Sequence, residues 1–114
     1  MHSQVSDNPH PPTINALDFD AQVLHAEVPV LIQVSSAFCP PCRAAEPVIA
    51  RIAAEQRARL KVVKVDASEA PDLVARLGAR GVPTFLLFVA GQERGRQAGF
   101  RSAQQLERWV VQNL

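Results

Sequence analysis

Apolar residues fall into two patterns along this chain, short unbroken runs and helical stripes, and the two alternate. Val30-Leu31-Ile32-Gln33-Val34 is the densest run and predicts a buried strand over Val30 to Ser35. Leu60 to Val65 predicts a second strand, charged at Lys61 and Lys64, and Thr84 to Val89 a third. Glu93 to Ala98 is polar and predicts an edge strand. Gly91 and Gly99 bracket it, as expected of a hairpin with the preceding run. Thr13 to Ala16 predicts a short first strand.

Helical stripes fill the intervals. Asp18 predicts the cap of a helix with Phe19, Val23 and Leu24 on one face, ended by His25 to Pro29. Arg43 to Gln56 predicts a longer helix that starts near Pro41-Cys42, with Ala44, Val48, Ile49, Ile52 and Ala53 as its inner stripe. Pro47 removes one backbone donor inside it and predicts a kink. Pro71 opens a helix with Leu73, Val74 and Leu77 inward and a stop at Gly78. Ser102 caps the last helix, with Leu106, Trp109 and Val110 inward. Early alternation implies a parallel pair joined by a crossover helix, and the late hairpin adds antiparallel strands. The predicted fold class is α/β, a central mixed β-sheet flanked by helices on both faces.

Composition narrows this picture. A chain of 114 residues, 47% apolar, suits one domain with a real core. Its net charge of +1, with both signs interspersed, excludes the basic stripe of a nucleic-acid binder. No apolar run has the length of a membrane span, so no membrane partner is expected. Residues 1–12 are polar, carry Pro9, Pro11 and Pro12, and predict a flexible tail ahead of a domain over 13–114. The tail lacks the basic start and apolar core of a signal peptide. Two cysteines in one pair do not make a secreted disulfide scaffold, so the expected compartment is the reducing cytoplasm.

Those cysteines carry the chemistry. Cys39-Pro40-Pro41-Cys42 sits where the first buried strand ends and the long helix begins. A helix N-terminus favours a thiolate over a thiol, and the thiolate is the species that attacks a disulfide. The pattern therefore fits a dithiol that opens and closes as a disulfide. Two plainer readings compete. Ordinary core cysteines have no reason to sit three positions apart at a helix start. Zinc needs four ligands, or three plus water. The chain adds only His2, His10 and His25, all in or near its N-terminal part, so a zinc site would need a second chain. Pro40 and Pro41 stiffen the loop and hold the sulfurs close, and they also withhold amides from the Cys39 thiolate. Their combined effect on redox potential is not ranked by sequence.

Taken together, these residues resemble the thioredoxin family. Phe38-Cys39-Pro40-Pro41-Cys42-Arg43 is similar to the family's active-site segment, Pro47 to its kinking proline, Lys64-Val65-Asp66 to the end of its third strand, and Gly81-Val82-Pro83-Thr84 to its cis-proline segment. Gly91 and Gly99 match the glycines that flank its last strand. The resemblance runs from about Leu17 to Leu114 and departs at the chemistry. Pro40 stands where the family usually has glycine, Gln33 where it has a buried aspartate, and Ser35 where it has tryptophan.

The resemblance implies a thioredoxin-like fold and a protein-disulfide reductase. Cys39 is expected to be the nucleophile and Cys42, one turn inside, the resolving thiol. No metal and no bound cofactor are expected. Electrons are expected from a thioredoxin reductase or another dithiol donor, and the protein is expected to be a monomer. Gln33 cannot exchange a proton at neutral pH as the aspartate does, though it can hydrogen-bond a water or a thiol. The plainer reading of Gln33 is a core polar residue satisfied by its neighbours. Lys64, which pairs with that aspartate in the family, is expected to snorkel to solvent. Pro83 is expected to follow a cis bond. The general frequency is about 5–6%, so the resemblance carries this expectation. A cis proline there leaves the Val82 backbone open to an extended substrate. Phe38, Val82, Pro83 and Gly99, with Phe100, are expected to form an apolar surface around Cys39. Trp109 is expected to pack in the core. Two alternatives stand beside the reductase, a thiol oxidase or isomerase and a redox-inactive binding or chaperone module of the same fold.

Overall fold

A computed structural model describes residues 11–114. Most of the tail expected over 1–12, with His2 and His10, lies outside the described residues. Four strands, β1 (Val30–Ser35), β2 (Lys61–Asp66), β3 (Thr84–Val89) and β4 (Gln92–Ala98), form one sheet in the order β2-β1-β3-β4. β1 and β2 run parallel; β3 is antiparallel to β1 and to β4. Four α-helices accompany them: α1 (Ala16–Phe19), α2 (Pro40–Glu55), α3 (Pro71–Leu77) and α4 (Ala103–Gln112). The expected mixed sheet between helices is what the chain forms.

Alternation along the strands divides the core in two. Val30, Ile32, Val34, Val63, Val65, Leu86 and Phe88 pack with Phe19, Val23, Leu73 and Leu77 on one face. On the other face Leu31, Val62, Phe85 and Leu87 pack with Ala45, Val48, Ile49 and Ile52 of α2 and Leu106 and Val110 of α4. Gln33 lies two residues beyond Leu31 and so shares the α2 face.

Several local expectations are corrected. The segment 13–16 contributes one parallel bridge, Thr13 to Lys64, and then turns into α1 at Ala16. The cap of α1 is Asn15, not Asp18. Asn15 Oδ1 accepts from the Leu17 and Asp18 amides, and the Asp18 carboxylate accepts from the Asn15 amide in return, a reciprocal box. After four residues α1 loosens into a π-helical turn, Asp20–Leu24. On α2 the inward residue is Ala45, while Ala44 is exposed. The helix starts at Pro40 and runs through Pro47 to Glu55. Arg76 bonds Asp20 at 3.1 Å and lies over the Phe19 ring. Arg96 pairs with Glu93 and donates to the Leu77 and Gly78 carbonyls. Trp109 is half-buried against the α2–α4 core, as expected.

Candidate active site

Cys39 is the N-cap of α2, with extended backbone (φ −108°, ψ 108°). Pro40 and Pro41 occupy the first two helical positions, where a missing amide hydrogen costs no helical bond. The first amide of the helix is therefore that of Cys42, and it donates to Cys39 Sγ at 3.3 Å. Arg43 N closes the turn on the Cys39 carbonyl at 3.0 Å. This turn brings the two Cα atoms to 5.2 Å, and the sulfurs are joined as a disulfide. The pair is asymmetric: Cys39 is 9% exposed and Cys42 1%.

A second loop meets the first. The Val82–Pro83 peptide is cis, as expected. Val82 O lies 3.7 Å from Cys39 Sγ. An oxidised sulfur has no proton to give, so in the disulfide this is a contact. Thr84 Oγ1 donates to Gly81 O at 2.6 Å and tightens the loop where it enters β3. The third loop follows β4, and Gly99 N donates to Pro83 O at 2.8 Å. Gly99 has φ +83°, with open space where a Cβ would stand, so backbone conformation and not crowding calls for glycine. Cys39, Val82, Pro83 and Gly99 are thus brought together. Phe38 beside them is 94% exposed. Val82 is half-buried, and Phe100 packs mainly against the α2–α4 core.

Gln33 of β1 and Lys64 of β2 are paired in register. Gln33 is fully buried, and its Oε1 and Nε2 have no hydrogen-bond partner among the described residues. The reading of a core glutamine satisfied by neighbouring side chains does not hold. Gln33 is among the residues that line a cavity of about 270 Å³, whose wall also includes Glu46, Pro47, Ile49 and Lys64. Lys64 Nζ does not snorkel unpaired, but donates to Glu46 Oε2 at 2.8 Å. A neighbouring cavity of about 180 Å³ is lined by Ser35, Asp66, Glu46 and Lys64. There the Ser68 hydroxyl, at 2.7 Å, and amide, at 2.9 Å, hold the Asp66 carboxyl below its usual value against the opposing effect of burial. Sequence reasoning passed over Glu46. Its signal was spacing, since it lies four residues after Cys42 on the same helix.

Among the described residues no group of three or more histidine, cysteine or acidic side chains is placed to hold a metal. No described helix is long and apolar enough to cross a membrane.

The family model described as Thioredoxin matches residues 11–112. Thioredoxin 1 of Chlorobaculum tepidum is 36% identical over 99 residues, 87% of this chain and 98% of its own length. Thioredoxin C-2 of Corynebacterium nephridii is 33% identical, over 89% and 95% of the two chains. Thioredoxin of Rickettsia bellii is 30% identical, over 84% and 91%. A capped, asymmetric cysteine pair at a strand–helix junction, set against a cis-proline loop and matched along the domain, makes the chain a member of the thioredoxin family, a dithiol–disulfide reductase that works without a prosthetic group.

Proposed function

We propose that Cys39 is the attacking sulfur and Cys42 the resolving one in the reduction of protein disulfides. The observation that carries this is their unequal exposure, with the Cys42 amide aimed at Cys39 Sγ. A hydrogen bond from that amide stabilises the charged form of Cys39, as does the positive end of α2. The Cys39 thiolate attacks a substrate disulfide and one substrate sulfur leaves. Cys42 then attacks Cys39, the mixed disulfide breaks, and the second substrate sulfur leaves.

In this reading Phe38, Val82, Pro83 and Gly99 form the substrate face. Val82 precedes the sheet ladder, which begins at Thr84, so its backbone suits pairing with an extended peptide. Pro40 and Pro41 preset the loop, while Gln33 and Lys64 support the buried thiol. A thioredoxin reductase or another dithiol donor returns electrons, and the protein works as a monomer in the cytoplasm, with residues 13–114 as the working domain.

Insulin reduction with Cys39→Ser and Cys42→Ser tests the assignment. Both variants lose turnover, and Cys42→Ser alone accumulates a mixed disulfide with substrate. Equal activity of wild type and variants would instead favour a binding module. A reduction potential well above about −200 mV, toward strongly oxidising proteins, would favour the oxidase or isomerase.

A further inference from the structure

Three loops meet around Cys39, and each carries one arginine and no acid. Residues 36–43 hold Arg43, residues 78–83 hold Arg80, and residues 99–102 hold Arg101. Their backbones are tied to the site. Arg43 N donates to Cys39 O at 3.0 Å, and Gly99 N donates to Pro83 O at 2.8 Å. Gly81 O, next to Arg80, accepts from Thr84 Oγ1 at 2.6 Å. Ser102, next to Arg101, caps α4 by accepting from the Gln105 amide at 3.1 Å. All three arginines are exposed. None has its side chain in a hydrogen bond, ion pair or ring contact among the described residues.

Other cations are matched by acids. Arg51, Lys64, Arg76 and Arg96 each meet a carboxylate at 3.1 Å or less. Glu46, one turn after Arg43, is taken up by Lys64, and Asp66 at the end of β2 by Ser68. The whole chain carries a net charge of only +1, so the rest of the molecule is net acidic once these three arginines are set aside. An unbalanced positive rim therefore surrounds the dithiol. Rim charge of one sign steers encounter and discourages partners of the same sign.

We propose that Arg43, Arg80 and Arg101 select protein disulfides whose flanking residues are aspartate or glutamate. This rests on the reading of Cys39 as the attacking sulfur and of Val82, Pro83 and Gly99 as the substrate face. A segment paired with the Val82 backbone lies among the three loops, so acids on either side of its disulfide come within reach of a guanidinium. The planar guanidinium can meet a carboxylate with two parallel hydrogen bonds, which adds geometric selectivity to the charge. Phe38, exposed beside Cys39, offers contact to an apolar residue of the same segment. The arginines act on encounter and orientation, and the thiol–disulfide exchange itself is unchanged.

Two synthetic peptides test this, each closed by a single disulfide and identical except for glutamate or lysine at the flanking positions. Second-order rate constants with the reduced protein are measured at ionic strengths of about 0.01 M and about 0.15 M, where charges are felt over about 30 Å and about 8 Å. In wild type the glutamate peptide is expected to react about tenfold faster at the lower ionic strength, and the ratio to shrink at the higher. In the triple variant Arg43→Gln/Arg80→Gln/Arg101→Gln the ratio is expected to fall to about one. Arg94→Gln/Arg108→Gln removes two exposed arginines of β4 and α4 that lie outside these loops, and should keep the wild-type ratio. Equal rates for the two peptides in wild type overturn the proposal. So does a triple variant that slows both peptides alike and keeps their ratio, which would mean that the arginines act on the Cys39 thiolate and not on the substrate. Failure of wild type to reduce either peptide would instead defeat the assignment of Cys39.

Discussion

Cys39 caps the helix that holds its partner, and the two prolines that follow decide how many donors reach its sulfur. A capping side chain accepts from the second or third helical amide. Here the second belongs to Pro41 and does not exist, so the Cys42 amide at 3.3 Å acts alone. Fewer donors mean a less stabilised thiolate, and a stiff loop keeps the sulfurs within bonding reach. Both effects lean toward the disulfide and so toward a more reducing couple, a point the sequence left open. Restoring the missing amide should reverse the first effect. In Pro41→Ala the pH midpoint of Cys39 alkylation should fall by about one unit, because a hydrogen bond to a charged group contributes about 1.5 kcal/mol or more and one unit corresponds to about 1.4 kcal/mol. Iodoacetamide labelling across pH reads this directly. A midpoint equal to that of wild type would mean that the new amide does not reach the sulfur.

Elements are fixed by residues that the apolar pattern only partly marks. The β3–β4 hairpin turns at Ala90 (φ +53°) and Gly91 (φ +80°), the pair of positive angles that suits a two-residue hairpin. A Cβ at Gly91 would also stand 2.9 Å from Leu24 O, where the π-helical turn ends. Gly99 shares the backbone angle but not the crowding. Gly99→Ala should therefore cost about 1 kcal/mol for backbone alone, and Gly91→Ala about 2 kcal/mol or more. Urea unfolding of both variants tests this, and equal losses would show that the Leu24 contact adds nothing. Gly91 was legible in sequence as a turn because glycine marks positive φ without reference to the rest of the fold. The strands were legible for a similar reason, since continuous apolar runs such as Val30–Val34 have few other fates. The π-helical turn was not, because a stripe at Phe19, Val23 and Leu24 fits α- and π-spacing alike. Asn15 and Asp18 are both good caps, and only the reciprocal bonds distinguish the cap from the third helical residue. The site divides along the same line. Cys39, Cys42 and Pro83 stand in local motifs. The Glu46–Lys64 pair joins α2 to β2 across 18 residues and leaves no periodic trace.

The whole molecule sets its working parts at one end of a sheet whose two cores are almost wholly apolar, so most of its charge lies outside them. Acid should therefore act on the fold through a few partnered surface carboxylates. Two are held below their usual values, Asp66 chiefly by the Ser68 hydroxyl and Glu93 chiefly by Arg96. A carboxyl with a folded pKa below its unfolded one binds fewer protons in the native state than in the unfolded chain. Its contribution is complete above the unfolded value, about 4, and disappears as pH falls through the folded value. Stability should thus decline between about pH 5 and pH 3, with a slope proportional to the extra protons taken up on unfolding. In the double variant Asp66→Asn/Glu93→Gln this decline should be shallower, and the loss of stability at pH 7 should stay within about 1 kcal/mol per site because both pairs are exposed to solvent. Urea titrations at pH 3, 5 and 7 measure both quantities. Parallel pH curves for wild type and variant would place the acid sensitivity elsewhere.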